Sequence, residues 1–353
     1  MVLSKIFANI QTPLLTYQQR INAFVQLGLQ LDILLNAENA ESSVFSELLN
    51  KASVQNVWFT PTFIKYSLKQ FRSWLYTDCL HDFTKPYLNT SAQKPQKTIA
   101  VICAGNIPLV CIHDVLCVLI SGHTLLLKPS KEDTLLPLFI LQLLNTVEPA
   151  FSAQIRIAEI PMKHFDALIA TGSTTSARQF EFYFSKYPRI IRKSKSSIAV
   201  LDGTETDSEL ELLMHDVFMY FGLGCRSINL LCVPAGFDLQ RLFKASLGFE
   251  YLSQHHAYMN QYDYQRSILM LEGNSFLENN IFILKASEHI FAPVSVLHYM
   301  FYDSEKHLKD FISARQEDIQ CIVSKTHIPF GKAQTPPLND FADNINTMNF
   351  LQS

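Results

Sequence analysis

Between Thr98 and Leu127 the chain runs thirty residues with a single formally charged side chain, Asp114. Such a run reads either as a membrane span or as strands and a helix buried on all sides. Gly105-Asn-Ile-Pro108, His113-Asp114 and Ser121-Gly-His123 cut it into pieces too short to cross a bilayer. Ile99–Cys103 is therefore expected as a strand, Leu109–Ile120 as a helix and Thr124–Leu127 as a strand. The alternation continues with a helix at Leu135–Thr146, strands at Ile155–Ile160 and Ala167–Ala170, a helix near Thr175–Tyr187 and a strand at Ile198–Leu201. Strands separated by helices of this length predict an α/β fold built on a parallel, doubly wound sheet.

Residues 1 to about 90 are expected to be mainly helical. Thr60-Pro61 is an N-cap followed by proline at the first helical position, and Phe63, Ile64, Leu68, Phe71 and Leu75 form an apolar stripe. Asn89 to Lys97 is polar and reads as a surface loop. Hydrophobic residues make up 48% and charged residues 17%, which excludes a disordered chain. A net charge of -3 gives no footprint for nucleic acid. The seven cysteines are scattered without metal-ligand spacing, so no metal site is expected, and Met1-Val-Leu-Ser-Lys-Ile lacks the apolar core of a signal peptide. Reduced thiols in a cytoplasm are the expectation.

One cysteine stands apart. In Phe221-Gly-Leu-Gly-Cys225-Arg-Ser-Ile228 it lies between a helix expected at Asp207–Tyr220 and an apolar strand beginning at Ile228. Gly222 and Gly224 are expected to turn the backbone. A thiol on such a turn suits a nucleophile that forms and releases a covalent intermediate. A buried structural cysteine is the competing reading, and it is the one applied to Cys103, Cys111 and Cys117. His215, on the preceding helix, either assists proton transfer or simply packs. Tyr251, His255, His256, Tyr258 and Tyr262 either line an acyl pocket or pack.

Six short motifs stand in order: Gly105-Asn106-Ile107-Pro108, Ser121-Gly-His-Thr-Leu-Leu-Leu-Lys128-Pro-Ser, Ala170-Thr-Gly172-Ser173-Thr, Gly224-Cys225, Glu288-His-Ile-Phe-Ala-Pro-Val294 and Pro329-Phe-Gly331. Together they resemble the aldehyde dehydrogenase superfamily. The nearer likeness is to its acyl-CoA reductase branch, which includes the fatty-acid reductase of bacterial bioluminescence. The likeness runs from about residue 97 to the C-terminus. It implies a coenzyme-binding domain over residues 91–197, with the helical region 1–90 packed on it. A catalytic domain over 198–324 and a return segment over 325–353 complete the expected organisation.

The resemblance also implies roles. Cys225 would be the nucleophile. The Asn106 amide would join the Cys225 N–H in an oxyanion hole, although a turn asparagine has the same appearance. Lys128 would hold the adenosine ribose, and Gly172 and Ser173 the pyrophosphate. Either Glu288 or His289 would reach the nicotinamide ribose. Lys131 stands where the family often carries a glutamate that rejects a 2′-phosphate, so NADPH is the expected cofactor and NADH the alternative. A solvated Lys131, partly neutralised by Glu132 and Asp133, would leave no preference.

Ile191 stands where hydrolytic members carry the glutamate that activates water. Its absence argues for reduction of an acyl thioester to an aldehyde and against oxidation of an aldehyde to an acid. The expected partner is acyl-CoA or another acyl thioester, with room for a homo-oligomer or a complex with acyl-transfer enzymes. An acyl-phosphate reductase, or a catalytically silent acyl-carrier-binding scaffold, are the rival readings.

Overall fold

The computed structural model describes residues 14–36, 44–88, 95–159 and 161–353. The first thirteen residues of the expected helical region, residues 37–43, most of the polar loop (89–94) and the end of one expected strand, Ile160, lie outside the described residues. The chain divides into two units. One comprises Met1–Gln55, Ile64–Arg192 and Leu338–Ser353, the other Asn56–Phe63 and Lys193–Pro337.

Helices α1 (Tyr17–Asn36), α2 (Val44–Gln55), α3 (Pro61–Trp74) and α4 (Thr77–Thr84) precede the first sheet. The N-cap of α3 forms as expected, with the Phe63 N–H donating to Thr60 Oγ1 at 3.2 Å. Its stripe, Phe63, Ile64, Leu68, Phe71 and Leu75, is buried. There follow β1 (Thr98–Ile102), α5 (Ile112–Ile120), β2 (Thr124–Lys128), α6 (Leu135–Val147), β3 (Ile155–Ile157), β4 (Ala167–Thr171), α7 (Thr174–Tyr183) and β5 (Arg189–Arg192). These strands form a parallel sheet in the order β3-β2-β1-β4-β5. The order reverses at β1, where open α/β sheets place their ligands beyond the carboxyl ends of the strands. Ile102 pairs with Lys128 on one side and Ala170 on the other, so the loops after β1, β2 and β4 leave the same edge.

Two helices of this unit are shorter than expected, and one of its strands was not anticipated. Helix α5 starts at Ile112 because Leu109 takes a left-handed φ of 60°, which a helix cannot contain. Helix α7 ends before Pro188, whose ring disfavours helical geometry at the residue preceding it. Strand β5 is an edge strand with arginines at both ends, and its pattern is too short to announce itself. Its Arg192 also explains the lone acid of the apolar stretch. Arg192 Nη1 meets Asp114 Oδ2 at 2.5 Å, and Nη2 donates to Thr347 Oγ1 at 2.8 Å. Both charged groups are buried, so removing either one would strand the other.

The second unit carries β6 (Ser196–Val200), α8 (Asp207–Phe218), β7 (Ile228–Pro234), α9 (Gln240–Ala245), α10 (His256–Leu271), β8 (Leu277–Glu278), β9 (Ile283–Ala286), β10 (Val296–Tyr302), α11 (Glu305–Ala314) and β11 (Ile319–Val323). Its sheet runs β11-β6-β7-β10-β9-β8, parallel except for the last pair. Ile198, Leu230, Cys232, Met300, Phe311 and Ile319 form one apolar layer.

Candidate active site

Cys225 lies on the turn between α8 and β7. Helix α8 opens with a capping box: the Glu209 N–H donates to Thr206 Oγ1 at 3.2 Å, and the Thr206 N–H to Glu209 Oε2 at 2.8 Å. Beyond α8 the backbone reverses through three consecutive left-handed residues, Tyr220 (φ 54°), Phe221 (φ 55°) and Gly222 (φ 77°). Glycine adopts this conformation easily, and aromatic residues do so only when their surroundings compensate. Here the rings compensate. Phe63 stands edge-on to Tyr220 at 5.4 Å and to Phe221 at 4.9 Å, while Trp58 (5.4 Å), His255 (4.3 Å) and Tyr258 (5.6 Å) complete a cage around Phe221. Gly222 shares the reversal with the two caged aromatics, and Gly224, which is not left-handed, opens the next turn, its carbonyl accepting from the Ser227 N–H at 3.0 Å.

Hydrogen bonds from distant segments hold the rest of the turn. Ser197 Oγ donates to the Cys225 carbonyl at 2.9 Å and accepts from the Cys321 N–H at 3.2 Å. Ser227 Oγ accepts from the Gly224 N–H at 3.2 Å and from Gln334 Nε2 at 3.3 Å. Asp216, buried on α8, accepts from the N–H groups of Gly331 (2.7 Å) and Ala333 (3.0 Å). Burial pushes the Asp216 carboxyl up to about 7, and those backbone bonds only partly oppose the rise. Gly331 takes φ 78°, and a Cβ there would lie 2.9 Å from Leu212 Cδ2, so the Pro329-Phe-Gly331 turn requires its glycine. Segment 331–334 thus straps both the helix before the thiol and the loop after it.

Access sets four cysteines apart from the rest: Cys79 is exposed and Cys321 is half-buried like Cys225, so it is the turn, and not exposure alone, that distinguishes Cys225. Cys225 is half-buried, whereas Cys103, Cys111, Cys117 and Cys232 are buried. Burial pushes the Cys232 thiol up to about 12 and also raises Cys117, while Cys111 is raised by its hydrogen bond with Cys103 and by burial. Such thiols are poor sources of thiolate.

In the first unit, three loops converge at the carboxyl edge of the sheet. Asn106 is exposed on the loop after β1, Lys128 ends β2, and Gly172-Ser173 follow β4. The Cys103 N–H donates to the Lys128 carbonyl at 3.0 Å, lacing the first two loops together. A Cβ on Gly105 would lie 2.6 Å from Ser130 Oγ and 2.8 Å from Glu132 Cβ, so only glycine lets them close. A Cβ on Gly172 would lie 2.9 Å from Ser176 Cβ. Ser173 is the N-cap of α7, its Oγ accepting from the Ser176 N–H at 3.1 Å. The Gly172 N–H itself donates to the Arg192 carbonyl at 3.2 Å, so an anion at this end meets the opening residues of α7.

Lys131 is exposed, and its carbonyl accepts from Gln55 Nε2 at 2.6 Å. Asp133, expected to help neutralise Lys131, is 2% exposed and accepts instead from the Leu109 N–H at 2.7 Å. Glu288 and His289 lie on the loop between β9 and β10 in the second unit. Glu288 Oε2 faces Arg315 Nη2 at 3.3 Å, and the His289 carbonyl accepts from His298 Nδ1 at 2.7 Å. Among the described residues no cluster of three potential metal ligands occurs, and no helix is long and apolar enough to cross a membrane.

A family model, acyl-CoA reductase (LuxC), matches residues 71–247, half of the chain. The chain belongs to the acyl-CoA reductase (LuxC) family. Comparison with curated proteins returns no match. Among solved structures, the fold is similar to an indole-3-acetaldehyde dehydrogenase complexed with NAD+ (TM-score 0.63, 15% identity, 88% of this chain and 72% of the other). It is also similar to the aldehyde dehydrogenase KauB from Pseudomonas aeruginosa (TM-score 0.61, 16% identity, 88% and 72%) and to an aldehyde dehydrogenase from Bacillus cereus in its NAD+ complex (TM-score 0.60, 12% identity, 88% and 72%). The fold is that of the aldehyde dehydrogenases. Family and fold together make this protein an oxidoreductase of aldehyde or acyl groups.

The first unit of this family member fits a dinucleotide. It offers a lysine at the carboxyl edge, two glycines whose backbones pass too close to their neighbours for a side chain, and a capped helix start. The aromatic stretch is less available as an acyl pocket. The Tyr258 hydroxyl donates to the Ile281 carbonyl (3.0 Å) and that of Tyr262 to Glu278 (2.5 Å); Tyr251 and His256 are exposed, and His255 stacks in the cage. His215 is half-buried, and desolvation lowers its pKa. Sequence reasoning missed Trp58, Ser197 and Asp216, and it gave Asp133 only the role of a neutraliser of Lys131. Each is an unremarkable residue type whose partner lies far along the chain, and none carries a local signal.

Proposed function

We propose that this protein is a cytoplasmic acyl-CoA reductase that uses Cys225 as its nucleophile. The observation that carries the reading is the accessible Cys225 on a turn held rigidly by Ser197, Ser227 and the strap from Asp216, in a chain of the acyl-CoA reductase family. Attack of the Cys225 sulfur on an acyl-CoA carbonyl forms the Cys225 thioester and releases coenzyme A, whose sulfur takes up the proton that Cys225 lost. Asn106 is assigned as an oxyanion donor and the Cys225 N–H as the second. Lys128, Lys131 and the Gly172-Ser173 helix start are assigned to the nicotinamide dinucleotide, with Glu288 or His289 at its ribose. Bound there, a reduced dinucleotide would supply the hydride; the C–S bond of the thioester then breaks, Cys225 leaves as thiolate and the acyl group departs as aldehyde. Ile191 packs against the apolar cluster of Ala100, Ile102, Leu126, Phe165, Leu168 and Ala170, so its position brings no carboxylate to activate water.

The test is intact-mass analysis after incubation with acyl-CoA and no cofactor. One acyl group per chain is expected, on Cys225, absent from Cys225→Ala and retained in Cys232→Ala. A panel of acyl-CoA thioesters and acyl phosphates, followed at the reduced-cofactor absorbance with NADPH and NADH, then separates the substrate classes. An acyl label on another cysteine would sink the assignment.

A further inference from the structure

We infer that Asp133 is a positioning residue that sets the oxyanion-donor loop carrying Asn106; the inference rests on the role proposed for that asparagine. Asn106 is exposed at the head of a loop whose far end is Leu109, and Leu109 must take a left-handed φ of 60° before α5 can begin. A β-carbon is disfavoured in that conformation, so something must over-determine it. The Asp133 carboxylate does so. Its Oδ2 accepts from the Leu109 N–H at 2.7 Å, from a loop that follows a different strand. Asp133 is 2% exposed, and its Oδ1 is also buried without a hydrogen-bond partner. A buried acid is a costly way to serve backbone amides; Asp133 also meets the Leu136 N–H at the start of α6, and it is the bond to Leu109 that ties the loop bearing Asn106 to it. The same two loops are closed at their other end by the Cys103 N–H bond to the Lys128 carbonyl and by the contact of Gly105 with Ser130. The loop bearing Asn106 is thus pinned at both ends to the loop bearing Lys128, so its asparagine is presented from a fixed frame.

The test compares two reactions of Cys225. Acylation by acyl-CoA develops an oxyanion; alkylation by iodoacetamide does not. In Asp133→Ala, acylation measured by intact mass should slow ~10- to 100-fold, while iodoacetamide alkylation keeps its wild-type rate. Asp133→Asn retains an acceptor for the Leu109 N–H and should acylate at close to the wild-type rate. Combining Asp133→Ala with Asn106→Ala should be no slower than Asn106→Ala alone. Should the alanine variant fail to fold, Asp133→Ser, whose hydroxyl is one bond too short for the Leu109 N–H, is read in its place. Equal loss of acylation and alkylation would make Asp133 a purely structural residue and overturn the inference. So would wild-type acylation in Asp133→Ala when Asn106→Ala is slow. If Asn106→Ala itself acylates normally, the oxyanion role falls and this inference falls with it.

Discussion

The Ser197 hydroxyl donates to the carbonyl oxygen of Cys225 at 2.9 Å and takes the Cys321 N–H at 3.2 Å. A fully buried serine on β6 thereby fixes the peptide that carries the thiol. Ser197→Ala should lower stability by about 1 kcal/mol, or roughly 2–4 °C in Tm. It should also slow acylation by about tenfold, because a small displacement of a reacting group is expensive. Ser197→Thr keeps the hydroxyl and should retain most of both. Thermal melts and intact-mass acylation rates check this; an alanine variant that acylates at the wild-type rate removes Ser197 from the positioning of the thiol.

Because Ile191 belongs to an apolar cluster, wild-type protein should release aldehyde and hydrolyse acyl-CoA very slowly without cofactor. Ile191→Glu should raise hydrolysis of the acyl-enzyme, and setting a carboxylate against that cluster should cost about 1–3 kcal/mol. Free-acid release and thermal melts measure the two effects. Brisk hydrolysis by the wild type would contradict the reductase reading.

Lys131 bears on cofactor choice. Asp133 is turned inward to Leu109, which leaves the exposed Glu132 as the adjacent acid, and with only that partial neutralisation NADPH should be preferred over NADH. A charge-assisted contact of roughly 1.5–3 kcal/mol corresponds to about ten- to a hundredfold in the specificity ratio. The comparison is kcat/KM for both cofactors in wild type and Lys131→Glu. A wild-type preference for NADH, or an unchanged ratio in the variant, removes Lys131 as the discriminator.

Burial pushes the Asp133 carboxyl up to about 7 from an ordinary 3.8. Between those values the folded protein keeps a proton that the unfolded chain has released, so stability falls as pH rises from about 4 to 7 and is level above. The slope contributed is at most about 1.4 kcal/mol per pH unit. Asp133→Asn does not titrate, so its stability relative to wild type should increase from pH 5 to pH 8. Denaturant melts across that range decide it; a difference independent of pH would show that Asp133 is ionised throughout.

The nature and order of the elements were legible in the sequence because helix and strand periodicity are local properties. The run from Thr98 to Leu127, charged only at Asp114, became β1, α5 and β2, the Thr60-Pro61 signal opened α3, and the Gly-Leu-Gly-Cys stretch marked a turn bearing a half-buried thiol. Partners were a different matter. Asp216 meets Gly331 across 115 residues, Ser197 meets Cys225 across 28, and Asp133 meets Leu109 across 24. Nothing at either end of these bonds announces the other. An aspartate near a lysine reads as its neutraliser until the fold turns it inward, and two glycines read as the whole turn until two caged aromatics prove to share the reversal with Gly222. Periodicity reports whether a residue is buried; which amide or ring it meets there depends on strand order and loop closure, and those exist only once the sheets have assembled.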